Sequence, residues 1–322
     1  MDNINKIFDK AWPAPSPAKP FQPFSEAYVT GPIPAHFRDQ KAVQLAAALF
    51  KVSTELAGEL VEFGSVWLDD RPCCHPDAPL ASHGTFRLNP PVYGPVKFYE
   101  ADPARIVHED RDILVYNKES GRPSQAVPHD AYNNALAAVG RLLAARGDRS
   151  DLWLLHRLDA DTSGLLMMAK NKTVAGILGK AFQSGQVAKE YLCLGLGPQP
   201  IMNDFEVDAP IAKEGRKYVV RPGGPGLKAK TSFSVLDIQD FSNRTAGTDW
   251  KKILFSARPL TGRTHQIRLH LAWAGWPIVG DRFYGRPEDD RSSPDSRLML
   301  ASAGLSFAHP ATGQKMHLKL NY

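Results

Sequence analysis

The 322-residue sequence predicts an α+β protein whose larger part is built on a mixed, largely antiparallel sheet. Three observations carry that prediction. Beyond residue 104, short runs rich in Val, Ile, Leu, Phe and Tyr follow one another between Gly, Pro and Asp punctuation. Few stretches keep helical spacing, and the regular strand–helix–strand alternation of a doubly wound parallel sheet is missing. With 43% hydrophobic and 23% charged residues the chain can bury sizeable cores, and its length sets an expectation of about two domains.

Residues 1–40 read as a Pro-rich N-terminal arm, because Pro13, Pro15, Pro17, Pro20, Pro23, Pro32 and Pro34 block helix and sheet ladders. Residues 41–98 read as a small accessory α+β domain. From Lys41 to Phe63, Val43, Leu45, Ala46, Leu49, Val52, Leu56, Leu60 and Val61 recur near helical spacing until Gly64 stops the pattern. SVWLDDRP then predicts a short strand and turn, and Gly84 to Leu88 an extended stretch. This order resembles the small S4 RNA-binding module. The first hundred residues hold 9 Lys/Arg against 11 Asp/Glu, so an accessory domain with no RNA role stays open beside it. Pro90, Pro91, Gly94 and Pro95 mark a linker.

Residues 104–322 form the larger domain. RIVHEDRDILVYNK, GLLMMAK, EYLCLGLG, KYVVRP, KTSFSVLDI, KILFSARPL and LSFAHP predict strands. Thr173 to Gln186 predicts a helix, with Val174, Ile177, Leu178, Ala181 and Phe182 on one face. The chain's net charge of +5 is unevenly placed: residues 101–322 hold 30 Lys/Arg against 23 Asp/Glu, a balance of +7 and a mild bias toward a polyanionic partner. No apolar run approaches the ~18 residues that span a bilayer, and the start lacks a signal-peptide stretch. Cys73 and Cys74 are adjacent and Cys193 stands alone, which gives no disulfide framework and no metal spacing; ordinary packing is expected even with His75 alongside. No membrane partner and a reducing cytoplasm are therefore expected.

Two stretches hold more ionisable groups than core packing explains. In residues 154–171, His156, Arg157, Asp159 and Asp161 lie between apolar runs, and Thr162, Ser163 and Gly164 turn the chain back into a strand. Each such group needs a partner or a use. In residues 258–285, Arg258, Arg263, His265, Arg268 and His270 fall close to Gln266, with Thr264 to Ala272 expected as a helix. Such a cluster holds phosphates or neutralises a buried carboxylate. Arg258, Arg263 and Arg268 are expected to gather with Arg157 around one pocket.

At these stretches the chain resembles the RluA-type family of RNA pseudouridine synthases. The resemblance rests on H-R-L-D-x-x-T-S-G at His156 to Gly164 and on G-R-T-H-Q-I-R-x-H-L at Gly262 to Leu271. It rests further on G-x-P-I-x-G-D-x-x-Y-G at Gly275 to Gly285, K-x-Y at Lys189 to Tyr191, and L-x-F-x-H-P at Leu305 to Pro310. The motifs stand in the family's order across about residues 104–322. The resemblance implies a catalytic domain of pseudouridine synthase type that isomerises uridines of structured ribosomal or transfer RNA, acting as a monomer without metal or other cofactor.

It implies Asp159 as the catalytic carboxylate, either a base on the ribose or a nucleophile, with Arg268 keeping it ionised and Tyr191 stacking on the uracil. Arg157 fills the space that a flipped base vacates. His156, Thr162, Arg263, His265 and Gln266 contact substrate, and Leu300 walls the base. The chain departs from the family at Glu119, where N-K-P-x-G is usual, and at Ala301 and Ser302, where Leu-His-Ala is usual. Two other readings stay open. Asp159, Asp161 and Thr162 also spell D-x-D-x-T, as in haloacid-dehalogenase phosphatases, with Asp289 and Asp290 as a later acidic pair; and the chain can be read as an RNA-binding protein that has lost catalysis.

Overall fold

The computed structural model describes residues 29–91, 94–197, 203–215, 217–243, 248–285 and 297–320, and the chain divides into two compact units. The prolines from Pro13 to Pro23 lie outside the described residues. The first unit runs to Pro103 and adds Arg122–Ser150; the second holds Ala104–Gly121 and continues from Asp151.

In the first unit the chain forms β1 (Val29–Pro32), α1 (Ala42–Phe50), α2 (Thr54–Glu62), β2 (Val66–Leu68), β3 (Arg71–Cys73), β4 (Thr85–Leu88) and α3 (Ala135–Ala145). The sheet order is β1-β4-β2-β3, so the end of the expected arm is an edge strand, a place where Pro32 is tolerated. The helix expected across 41–63 is two helices. Lys51 takes the left-handed conformation at φ 54°, and Ser53 then caps α2 by accepting the Leu56 N–H. Asp69 and Asp70 both take positive φ, which matches the two-residue turn that joins twisted antiparallel strands. Leu45, Phe50, Leu60, Val66, Phe86 and Leu88 fill the core.

Helix α3 has no counterpart in the elements expected from sequence. Residues 122–150 sit with the first unit although both flanking segments belong to the second. The Asn133 side chain explains the attachment: its oxygen accepts the Phe98 and Tyr99 N–H groups and its nitrogen donates to Val96 O. Arg141 donates to Tyr99 O at 2.6 Å and lies over the Tyr132 ring.

The second unit opens with the hairpin β5 (Ile106–Glu109) and β6 (Ile113–Lys118), then β7 (Trp153–Leu154), β8 (Ser163–Ala169) and α4 (Lys172–Gln183). It continues through β9 (Ala188–Gly197), β10 (Phe205–Asp208), β11 (Ile211–Glu214), β12 (Lys217–Val220), β13 (Lys230–Asn243) and β14 (Thr248–Pro259). Helix α5 (Gln266–Trp273), β15 (Leu300–Ala308) and β16 (Lys315–Lys319) complete it. The main sheet runs β10-β13-β14-β9-β15-β8-β6-β5, with β16 added to β15 and β7 to β8, while β11 and β12 make a separate hairpin. Every pairing is antiparallel except β15 with β8. The fold class is the one the strand-rich pattern predicts. One face of the sheet packs Ile113, Val115, Leu165, Met167, Leu305 and Phe307 against Val174 and Leu178 of α4.

The parallel junction of β8 and β15 sets a steric limit. Gly164 has φ 104°, and a Cβ there would lie 2.2 Å from Ser302 O and 2.7 Å from Ser302 N. Both atoms are backbone of the neighbouring strand, so neither can swing away. Gly164→Ala should therefore destabilise the protein by on the order of 3 kcal/mol or more in chemical denaturation. Gly176→Ala, within α4 and with nothing near the added methyl, should raise stability by about 0.5–1 kcal/mol.

Candidate active site

The loop between β7 and β8 carries His156 to Thr162, and its carbonyls are held by one buried segment. Lys118, fully buried, donates to Ala160 O at 3.0 Å and Glu119 O at 2.8 Å. Ser120 Oγ donates to Asp161 O at 2.7 Å and the Gly121 N–H to Ala160 O. Thr162, also buried, closes the loop by donating its N–H to Asp159 O. Glu119, where proline is usual in the family, is accommodated by the Tyr116 hydroxyl at 3.0 Å and by Arg105 at 3.3 Å. The departure from N-K-P-x-G thus adds a paired carboxylate under the loop without freeing it.

So held, Asp159 presents its carboxylate to Arg268, whose Nη1 lies 3.1 Å from Oδ2. Arg268 is only 3% exposed, and its Nε and Nη2 each donate to Asp281 at 2.7 Å in a two-pronged pair. Burial opposes the guanidinium charge, but Asp281 and then Asp159 hold Arg268 protonated well beyond its ordinary range. Burial likewise pushes the Asp281 carboxyl up, and Arg268 with the Phe283 and Tyr284 N–H groups more than reverses it, so Asp281 stays ionised. Gly280 makes the turn that delivers Asp281: at φ 76°, a Cβ would meet Arg297 O at 1.9 Å.

His265 stands beside the pair, its Nε2 3.8 Å from Asp159 Oδ2 and its Nδ1 2.8 Å from the Tyr284 hydroxyl. It occupies the left-handed region at φ 55°, which delays the expected helix from Thr264 to Gln266. Burial lowers its pKa; the Asp159 charge resists this and the Arg268 charge adds to it, leaving the imidazole neutral.

Tyr191 is buried on β9, directly opposite Ser302 of β15. Because side chains alternate along strands, Tyr191 and Ser302 share a face with Cys193 and Leu300, and Leu300 is itself buried there. Burial, and then the Asp159 charge, push the Tyr191 phenol well above its ordinary value, so the hydroxyl keeps its proton. Arg157 is exposed at the loop surface.

Other expected substrate contacts are occupied inside the protein. The Gln266 oxygen accepts from Thr261 Oγ1 at 2.6 Å and from the Arg263 N–H at 3.0 Å; its nitrogen donates to Lys230 O and Thr231 Oγ1, both at 2.9 Å. Its amide is fully used in tying α5 to β13. His156 accepts the Met167 N–H and stacks on Phe182. Burial, helped by Lys189, pushes its pKa down to about 3, which keeps that ring nitrogen an acceptor. Arg263 is exposed and donates to Lys228 O. Arg258 does not join the cluster: one residue beyond Ala257, which pairs with Tyr191, it points to the opposite face and meets Glu190 at 3.3 Å. Asp289 and Asp290, which the phosphatase reading invokes, lie outside the described residues. Sequence reasoning left Asp281 and Phe283 without roles; their signal is an aspartate between a turn glycine and two aromatic residues.

Among the described residues, Asp110, Asp112 and His309 bring potential metal-ligand atoms within 4.8 Å of one another. Asp110 and His309 already have partners within the protein. Asp110 Oδ1 accepts the Asp112 and Ile113 N–H groups, and Oδ2 meets His108 Nε2 at 2.7 Å and His309 Nε2 at 3.1 Å. His309 Nδ1 accepts from Ala311 and Thr312, which places its proton on Nε2. The cluster ties the β5–β6 turn to the end of β15.

The same motifs relate the chain to known proteins. The family model for RNA pseudouridylate synthase matches residues 112–273. Ribosomal large subunit pseudouridine synthase C of Vibrio vulnificus (strain CMCP6) is 36% identical over 217 residues, covering 66% of this chain and 64% of that protein. The protein of that name from Escherichia coli (strain K12) is 35% identical over 222 residues, covering 66% of this chain and 65% of that one. The matched part of the chain thus spans just under two thirds of these relatives. Among solved structures, human RNA pseudouridylate synthase domain containing 1 superposes with a TM-score of 0.52 at 27% identity, over 70% of this chain and 86% of that one. Human RNA pseudouridylate synthase domain containing 4 shares the fold, with a TM-score of 0.53 at 24% identity over 68% and 88%. The family model spans half of the chain, and the chain belongs to the RNA pseudouridylate synthase family.

Proposed function

We propose that this chain isomerises particular uridines of structured ribosomal or transfer RNA to pseudouridine, with Asp159 as the reacting carboxylate. The observation that carries this reading is the Asp159–Arg268–Asp281 chain. It supplies one accessible carboxylate, hydrogen-bonded to a buried arginine that is itself fixed from behind.

The reaction breaks the N1–C1′ bond, turns the base and joins C1′ to C5; N1 gains a proton and C5 loses one, so atoms and electrons balance without an external reactant. Asp159 acts on the ribose as base or as nucleophile. Arg268, unable to lose its proton, stabilises the carboxylate each time it is released. Tyr191 contributes its ring as a surface for the uracil and its protonated hydroxyl as a donor or relay, since a standing phenolate is disfavoured where it sits. The target base must leave its stack before Asp159 can reach C1′, at a cost of a few kcal/mol, and exposed Arg157 is placed to enter the gap and stack on its neighbours.

The direct test is tritium release from C5-labelled RNA taken from cells lacking the protein. Asp159→Asn should fold and bind RNA yet release only background tritium; substantial activity in that variant would overturn the assignment. Arg268→Lys, which cannot span both carboxylates, should lose on the order of a hundredfold in rate with a much smaller loss in RNA affinity. Arg157→Ala should lose most activity on structured RNA and little on a short unpaired oligonucleotide, and an equal loss on both would remove its flipping role. Pseudouridine maps of RNA from cells with and without the protein identify the uridines.

A further inference from the structure

Next to the Asp159 carboxylate, three aromatic rings form a row that the chemistry above does not use. His265, 3.8 Å from Asp159, is flanked by Phe283, whose ring lies at 5.9 Å and 25° to the imidazole, and by Tyr218, edge-on at 5.9 Å. Phe283 is 66% exposed. A phenyl ring so open to water costs free energy unless something covers it in function. Its pose is set by His265 and by the Arg268 guanidinium, 5.5 Å from its centre, while most of the ring stays uncovered among the described residues.

Tyr218 carries the row into a cleft of about 710 Å³, between the β11–β12 hairpin and the start of the α5 segment. The volume falls within the about 300–1,000 Å³ typical of sites for compact ligands. Lys213, Arg221 and Arg263 line it, with exposed Leu227 as an apolar wall. Glu214, which also lines it, is paired to Arg221, so Lys213 and Arg263 leave the cleft net positive.

We propose that Phe283 and Tyr218, with Lys213 and Arg263, form a subsite for unpaired RNA flanking the target uridine: a neighbouring base stacks on the exposed ring of Phe283, and the strand's phosphates run into the cationic cleft. The proposal rests on the pseudouridine synthase reading for the identity of the central base. Charge and ring chemistry argue for this occupant. A single strand presents a base face and a phosphate at each step, the two features that an aromatic platform beside a basic groove recognises. The site adjoins Asp159, because His265 touches both.

The probe is a fluorescein-labelled oligouridylate of eight nucleotides, bound to the full chain and followed by anisotropy at several salt concentrations. Phe283→Ala should weaken binding by on the order of tenfold with the salt dependence unchanged, and Phe283→Trp should restore it. Phe283→Leu keeps an apolar contact with His265 but offers no ring, and should bind as poorly as the alanine variant. Lys213→Ala should lower the slope of log affinity against log salt by about 0.7. Unchanged binding in Phe283→Ala, or leucine matching phenylalanine, overturns the platform; an unchanged salt slope in Lys213→Ala overturns the cleft. Because Phe283 is exposed, its variants should keep the wild-type melting temperature, which confirms that a loss of binding is local. Background tritium release from the wild-type protein would overturn the isomerase reading while leaving the oligouridylate result to stand or fall separately.

Discussion

One arginine between two carboxylates organises the larger unit. Arg268 is almost wholly buried, and a buried guanidinium is tolerated only where its donors are met. Asp281 takes two of them in a planar pair, and Asp159 takes a third. The roles of the two acids differ because their surroundings differ. Asp281 is sealed in and receives two further backbone N–H groups, whereas Asp159 keeps part of its surface open. With His265 neutral, the cluster carries one excess negative charge. That leaves the site itself unattractive to a polyanion.

Much of the remaining polar structure keeps that triad in register. Lys118, at the end of β6, and Ser120 and Gly121, just beyond it, grip the carbonyls of the Asp159 loop. Gln266 fastens the first turn of the helix that bears Arg268 to β13, and His270, one turn on, bonds to Thr231 and Ala209 O. Gly280 and Gly164 let backbone approach backbone at distances that no side chain permits, one beside Asp281 and the other where the catalytic loop enters β8. Buried polar networks of this kind help to confer a unique geometry where their members are hydrogen-bonded.

The sheet class, most strands and the helix at α4 were legible because their period and punctuation are local properties. Asp159, Tyr191 and Arg268 were singled out through the resemblance of their motifs to the family, and the fold brings Arg268 to within 3.1 Å of Asp159. Other readings failed for identifiable physical reasons. The expected 41–63 helix divides at Lys51, which adopts a left-handed conformation that sequence gives little reason to expect there. Gln266 and His156 look like ligand-binding groups on paper, but the Gln266 amide is spent on Thr261, Thr231 and Lys230, and the His156 Nε2 accepts from Met167, partners 5 to 36 positions away. Arg258 looked like a member of the cationic cluster, and strand alternation turned it to the other face.

By itself, then, the sequence determined the local chemistry: a strand-rich domain, an aspartate in a polar turn, an arginine three residues beyond a histidine, and glycines at the turns. These follow from short-range periodicity and backbone preference, which the chain expresses wherever it folds. Only the tertiary structure decided which acid faces Arg268 with an open side and which is buried behind it. It also decided that Phe283 lies uncovered over His265 and that residues 122–150 belong with the first unit. Such choices depend on contacts between residues up to 109 positions apart, as between Asp159 and Arg268, and no local pattern encodes which of several suitable partners the folded chain brings together.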